Sequence, residues 1–143
     1  MAQLYSSNRF VLYRQIKQQP ALEMYLTVLD KRVFRDVYIK FRLGMSELYS
    51  HQYRFREDPP SMLCPSCKED DEDDAHFLLE CPAYEDLRSR YIRFAINPMT
   101  LNYVSLLASC DVEIIRAVSI YLYFAFKRRK YATNLQTLEN EWE

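Results

Sequence analysis

The chain has 143 residues, 19 Lys and Arg against 20 Asp and Glu, and a formal net charge of −1. That length predicts one domain, residues 1–143, with a single core, and the near-neutral balance excludes a strongly basic, dedicated nucleic-acid binder. One glycine in the whole chain excludes a turn-rich β architecture, which needs many positive-φ positions, and predicts helices.

Asn8 is placed to cap a first helix with Phe10, Tyr13 and Ile16 on one face, ended by Pro20; residues 21–26 read as a short second helix. Asp30 precedes a clearer amphipathic stretch, about 31–43, with Val33, Phe34, Val37, Tyr38 and Phe41 on its apolar face. Gly44 follows where a left-handed C-cap is required. Ser46 is positioned to cap a helix over 47–53.

Aromatic and basic side chains alternate through Tyr49, Tyr53, Arg54, Phe55 and Arg56. Such a pattern can stack single-stranded bases and contact phosphate. The competing reading packs Tyr49 and Tyr53 inward and leaves Arg54 and Arg56 in solvent. His51 is expected to be hydrogen-bonded and not a metal ligand. Residues 57–60, Glu-Asp-Pro-Pro, form a stiff connector.

The most specific motif comes next. Cys64, Cys67, His76 and Cys81 follow the spacing C-x2-C-x8-H-x4-C, a complete tetrahedral ligand set for Zn²⁺. Three thiols and an imidazole leave no position for water, so the predicted centre is structural and closed. The bunching of the cysteines argues against a disulfide framework. The spacer holds an acidic run, residues 69–74, expected to extend as a solvated loop by self-repulsion. Outside it the chain has 20 − 6 = 14 acidic residues against 19 basic, a mild excess of +5. Asp73 or Asp74 is placed to cap a short helix that presents His76 and turns Phe77 and Leu78 into the core.

Cys81-Pro82 is expected to start a helix over 82–95, with Cys81 at the cap and its thiolate favoured by the helix dipole. Tyr84, Leu87, Tyr91 and Phe94 are its buried stripe, and Asp86 and Arg90 an i,i+4 ion pair. Arg88, Arg90 and Arg93 point in different directions. Asn97-Pro98 breaks the chain, and Thr100 can start a helix to Ser109. Cys110, remote from the ligand cluster, reads as a small buried residue.

Asp111 caps the longest predicted helix, about 112–131, apolar nearly all round apart from a stripe at Arg116, Ser119, Tyr123 and Lys127. It is expected to be the central post of the bundle. Lys127, Arg128, Arg129 and Lys130 suit its negative end and can either contact phosphate or remain solvated. Residues 132–143 are expected as ragged helix or coil. The fold class is therefore all-α, an irregular helical bundle with one CCHC zinc knuckle inserted between helices, the zinc segment being 57–95.

Arg42-Leu43-Gly44, the Leu-Cys-Pro-Ser-Cys motif, the acidic gap and His76-Phe-Leu-Leu-Glu-Cys-Pro-Ala-Tyr-Glu-Asp-Leu-Arg88 resemble the zinc-binding C-terminal segment of non-LTR retrotransposon (LINE-type) reverse transcriptase polyproteins. The resemblance covers residues 31–95, with looser similarity at 4–30 and 100–131. It implies an accessory module that holds RNA or DNA, single-stranded or structured RNA foremost, beside the polymerase part of the same polyprotein. Residues available for such contacts are Tyr53, Arg54, Arg56, Arg88, Arg90, Arg93, Lys127, Arg128, Arg129 and Lys130. The alternative is a zinc-stapled protein-interaction or scaffold domain. No phosphate-binding loop, nucleophile elbow or HExxH motif is present, so no enzymatic activity and no small-molecule substrate are expected. No apolar run reaches membrane-spanning length, the longest being 117–126. With no targeting segment visible, the expected compartment is reducing, nucleus or cytoplasm.

Overall fold

The computed structural model describes residues 29, 31–96 and 102–142, with side chains through residue 138. The expected helices before Asp30, and the caps expected at Asp30 and Thr100, lie outside the described residues. The described fold is all-α: α1 Arg32–Arg42, α2 Tyr49–Gln52, a π-helical turn His76–Glu80, α3 Glu85–Tyr91, α4 Tyr103–Leu107 and α5 Val112–Trp142. Single 3₁₀ turns at Pro82–Tyr84 and Arg93–Ala95 flank α3. Among the described residues the one β interaction is an isolated antiparallel bridge between Leu63 and Asp71. No described helix is long and apolar enough to cross a membrane.

α5 is the post on which α1, α3 and α4 pack. Ile115, Val118, Tyr121, Leu122 and Ala125 form its buried face, and Phe126 brings its ring centroid within 4.6 Å of Phe77. Asp111 caps it as predicted, accepting from the Glu113 N–H at 2.9 Å. The helix runs through Trp142 without the expected fraying after residue 131. Residues 131–138 contain neither Gly nor Pro to stop it, and Ala132, Leu135, Gln136 and Leu138 are good helix formers. Phe124, expected to be covered, is partly exposed, with Tyr91 stacked against it at 5.7 Å.

α1 buries Tyr38 and Phe41 against this post. Val33 is 52% exposed because it lines an open groove between α1 and α5 instead of their contact. Gly44 has φ +67° and ends α1 as predicted. The Met45 N–H reaches back to the Lys40 carbonyl at 2.8 Å and the Gly44 N–H to Phe41 at 3.2 Å, the two bonds of a Schellman motif. Ser46 does not cap a helix over 47–53: its hydroxyl accepts from the Leu48 N–H at 3.3 Å, and the helix spans only Tyr49–Gln52. α4 is capped by Asn102, whose side chain accepts from the Val104 N–H. Arg42 of α1 donates to the Leu107 carbonyl at the end of α4.

The helix expected over 82–95 is instead three pieces. α3 ends at Tyr91, and the tighter turn at Arg93–Ala95 shifts the phase. Ile92 is thereby fully buried, and Phe94, expected inside, is 64% exposed. Cys110 is exposed, not a small core residue.

Candidate metal centre

The CxxC pair sits on a turn closed by the Lys68 N–H donating to the Cys64 carbonyl at 2.9 Å. Lys68 carries a positive φ of 59°, and this reversal aims the Glu69 N–H at Cys67 Sγ, 3.5 Å away. The other two ligands come from the π-helical turn. In an α-helix, residues five apart lie roughly 140° apart around the axis, on different faces. Here the Cys81 N–H bonds to the His76 carbonyl at 2.7 Å, an i→i+5 closure, which brings the two ends of H-x4-C to one side. Asp73 caps this turn through the His76 N–H at 2.7 Å. Phe77 and Leu78 are fully buried, as predicted, and anchor it.

These elements gather Cys64, Cys67, His76 and Cys81, whose ligand atoms all lie within 4.8 Å of one another. Cys64 Sγ is 3.9 Å from Cys81 Sγ, and Cys67 Sγ is 3.4 Å from His76 Nε2. A tetrahedral ion with ordinary metal–sulfur and metal–nitrogen bonds has edges of about 3.8 and 3.6 Å. The group fits and can hold a metal ion. Cys110 takes no part. The bond from the Cys81 thiol holds the Cys64 thiol well below its ordinary value, and that bond together with burial pushes Cys81 up. The sequence expectation assigned the thiolate to Cys81 through a helix dipole, but the helix after Cys81 is a single 3₁₀ turn, too short to supply one. A metal binding both sulfurs displaces the shared proton.

The surroundings of the ligands include Arg88, expected at the surface, beside tyrosines expected inside. Arg88 is buried and donates to the Cys81 carbonyl. It also reaches the Tyr121 hydroxyl at 3.3 Å, which in turn donates to the Phe77 carbonyl at 2.5 Å. Burial pushes the Tyr121 phenol above its ordinary value and keeps it a donor. Tyr84 and Ser66 join their hydroxyls at 2.5 Å, linking the CxxC turn to the chain after Cys81.

The acidic run is solvated only in part: Glu69, Asp70, Asp71 and Asp73 are exposed as expected, but the run does not extend freely and Glu72 turns inward. Asp70 and Asp71 fold it back through the Cys64 N–H to Asp70 carbonyl bond at 2.8 Å and the bridge to Leu63. Glu72 is fully buried and holds Arg129 of α5 by two bonds of 2.8 Å. It also accepts from the Tyr49 N–H at 2.9 Å. Asp74 bonds His51 Nε2, and His51 Nδ1 lies 2.5 Å from the Ser46 hydroxyl. His51 is thus hydrogen-bonded, as predicted; it is also buried and ties the α1–α2 hinge to the metal loop.

The remaining basic and aromatic candidates are scattered. Tyr53 stacks on Tyr49 at 5.6 Å, with Arg56 over the Tyr53 ring at 5.5 Å and Arg129 over Tyr49 at 4.9 Å. Arg54 donates to the Gly44 carbonyl at 2.9 Å. Arg128 forks onto Asp86 at 2.7 and 2.9 Å, so the expected Asp86–Arg90 pair does not form. Arg93 pairs with Glu85. Arg88 and Arg129 are buried and unavailable at a surface, while Arg56, Arg90, Lys127 and Lys130 are exposed. Sequence reasoning missed the inward roles of Glu72, Arg88 and Arg129, because a lone charged residue in a charged run carries no periodic signal of burial. No protein-family model, curated protein or solved structure matches this chain.

Proposed function

We propose that the chain is a zinc-stabilised accessory module of a non-LTR retrotransposon-derived protein, and that it helps hold RNA or DNA. The observation that carries the zinc assignment is the closed Cys₃His group itself. Three thiolates and an imidazole select zinc over the harder, oxygen-seeking cations, and four protein ligands leave no open position for chemistry. Cys64, Cys67, His76 and Cys81 hold the ion, which supplies a structural crosslink between the CxxC turn and the π-helical turn. The chain's own residues complete the site: Arg88 and Tyr121 fix the backbone that carries Cys81 and Phe77.

Nucleic-acid contact is supported by the Tyr49–Tyr53 stack with Arg56 over the Tyr53 ring and by the exposed Arg90, Lys127 and Lys130. Phosphate contacts dominate such a surface and give weak sequence preference. A second reading, a zinc-stapled interaction domain, is favoured by the burial of Arg88 and Arg129, which removes two cations from any phosphate-facing side.

Fluorescence anisotropy with single-stranded RNA at graded salt separates the two. Arg56→Ala is expected to weaken binding and reduce the slope of log K against log salt by about 0.7. Arg54→Ala should change it less, since Arg54 is engaged with Gly44. Neutralising Glu69, Asp70 and Asp71 together should strengthen binding. No measurable binding by the metal-loaded chain at low salt would favour the interaction-domain reading.

A further inference from the structure

α5 continues well beyond the body of the fold. Arg129 is its last buried residue among those described, and the helix runs to Trp142, 142 − 129 = 13 residues and about 20 Å farther. Along this projection Tyr131, Leu135 and Leu138 are 66%, 42% and 51% exposed. Their spacing of four and then three is that of a coiled-coil seam, and the sequence carries it on to position 142. The intervening residues Ala132, Thr133, Asn134, Gln136 and Thr137 carry no charge. Charges gather at the two ends instead. Lys127 and Lys130 are exposed at the base, and three glutamates, 139, 141 and 143, close the sequence.

A helix that is basic at one end, acidic at the other and apolar between is complementary to itself when reversed. We propose that the projecting end of α5 pairs antiparallel with the same segment of a second copy of this chain, forming a twofold dimer. The register follows from the seam. Leu135 of one copy faces Leu138 of the other, and since 135 + 138 = 131 + 142 = 273, Tyr131 faces position 142. The overlap therefore fills the projection and stops before Arg129, where the body begins. Position 141 of each helix then falls opposite position 132 of the other, within one turn of Lys130. A parallel pair would instead bring like charges together at both ends, a specificity device against that arrangement. A twofold axis closes the contact with no exposed repeat left over.

So short a seam buries less than the ~1,200 Å² of a standard interface, and the dimer is expected to be weak, with Kd on the order of micromolar. Sedimentation equilibrium of the metal-loaded chain from about 1 to about 300 µM at low salt brackets that range. The expected result is a reversible monomer–dimer equilibrium. Leu135→Asp with Leu138→Asp should weaken it at least about tenfold, with metal content and far-UV circular dichroism unchanged. Lys130→Glu should weaken it too, and adding Glu141→Lys to that variant should restore it. A chain monomeric up to the highest concentration overturns the proposal. So does a dimer indifferent to the leucine pair, and a dimer that the charge exchange fails to restore overturns the antiparallel arrangement.

Discussion

Removing the Glu72 carboxylate is the most direct perturbation of the link between the metal loop and α5. Glu72 is fully buried, and it satisfies two Arg129 donors at 2.8 Å and the Tyr49 N–H at 2.9 Å. Glu72→Ala strands a guanidinium whose side chain is 4% exposed and orphans the amide. Breaking one partner of a buried pair costs about 3–5 kcal/mol, because the surviving charge stays desolvated. For 143 residues, the unfolding entropy is roughly 0.3 kcal/mol/K, so a loss of ~4 kcal/mol lowers Tm by roughly 13 °C. Arg129→Ala should cost a similar amount. The pair Glu72→Leu with Arg129→Met removes both charges and keeps volume, and it should recover most of the loss. Urea unfolding of the metal-loaded proteins measures all three. Losses below about 1 kcal/mol in both single variants would place the pair in the range of a surface ion pair and refute the reasoning.

Gly44→Ala should destabilise by about 1–2 kcal/mol, since φ is +67° and a Cβ would lie 2.7 Å from an Arg54 nitrogen; an unchanged urea midpoint would count against the cap. Elemental analysis should find one zinc per chain, with stoichiometry lost in Cys64→Ser, Cys67→Ser, His76→Ala and Cys81→Ser but kept in Cys110→Ser. Chelation should raise hydrogen exchange across 57–95 first; uniform exchange across α1 and α5 from the outset would contradict that order. The Arg128 guanidinium holds the Asp86 carboxyl below its ordinary value. Its small contribution is therefore present above the unfolded pKa of about 3.9 and is lost as pH falls through the lower folded value. NMR titration should show Asp86 moving up in Arg128→Ala, and an unmoved Asp86 would dismiss the pairing.

The features legible in the sequence were those with a local signature. Helix α1, the cap at Gly44, the Asp111 cap, the four-ligand spacing and the inward turn of Phe77 and Leu78 each rest on a residue type at a fixed offset. What escaped was set by distant parts of the chain. Nothing near Glu72 distinguishes it from Asp71, and only Arg129, 57 positions away, makes one buried and leaves the other exposed. Arg88 likewise looks like a surface residue until Tyr121 and the Cys81 carbonyl surround it. The break of the 82–95 helix misplaced Phe94, because a change from α to 3₁₀ geometry shifts the face without any Gly or Pro to announce it. The π-helical turn had a trace in the sequence: ligands five apart do not share an α-helical face.

The buried Glu72–Arg129 pair also sets an order of events during folding. Its partners close a separation of 57 residues, and loop closure over that distance is slow compared with closing the short C-x2-C and H-x4-C turns. On a chain growing from its N-terminus, all four metal ligands emerge before Arg129 does. Metal capture is thus expected to precede docking of α5, leaving Glu72 hydrated in the interval. Stopped-flow refolding should then show a metal-dependent fast phase untouched by Arg129→Ala, followed by a slower phase that the substitution slows.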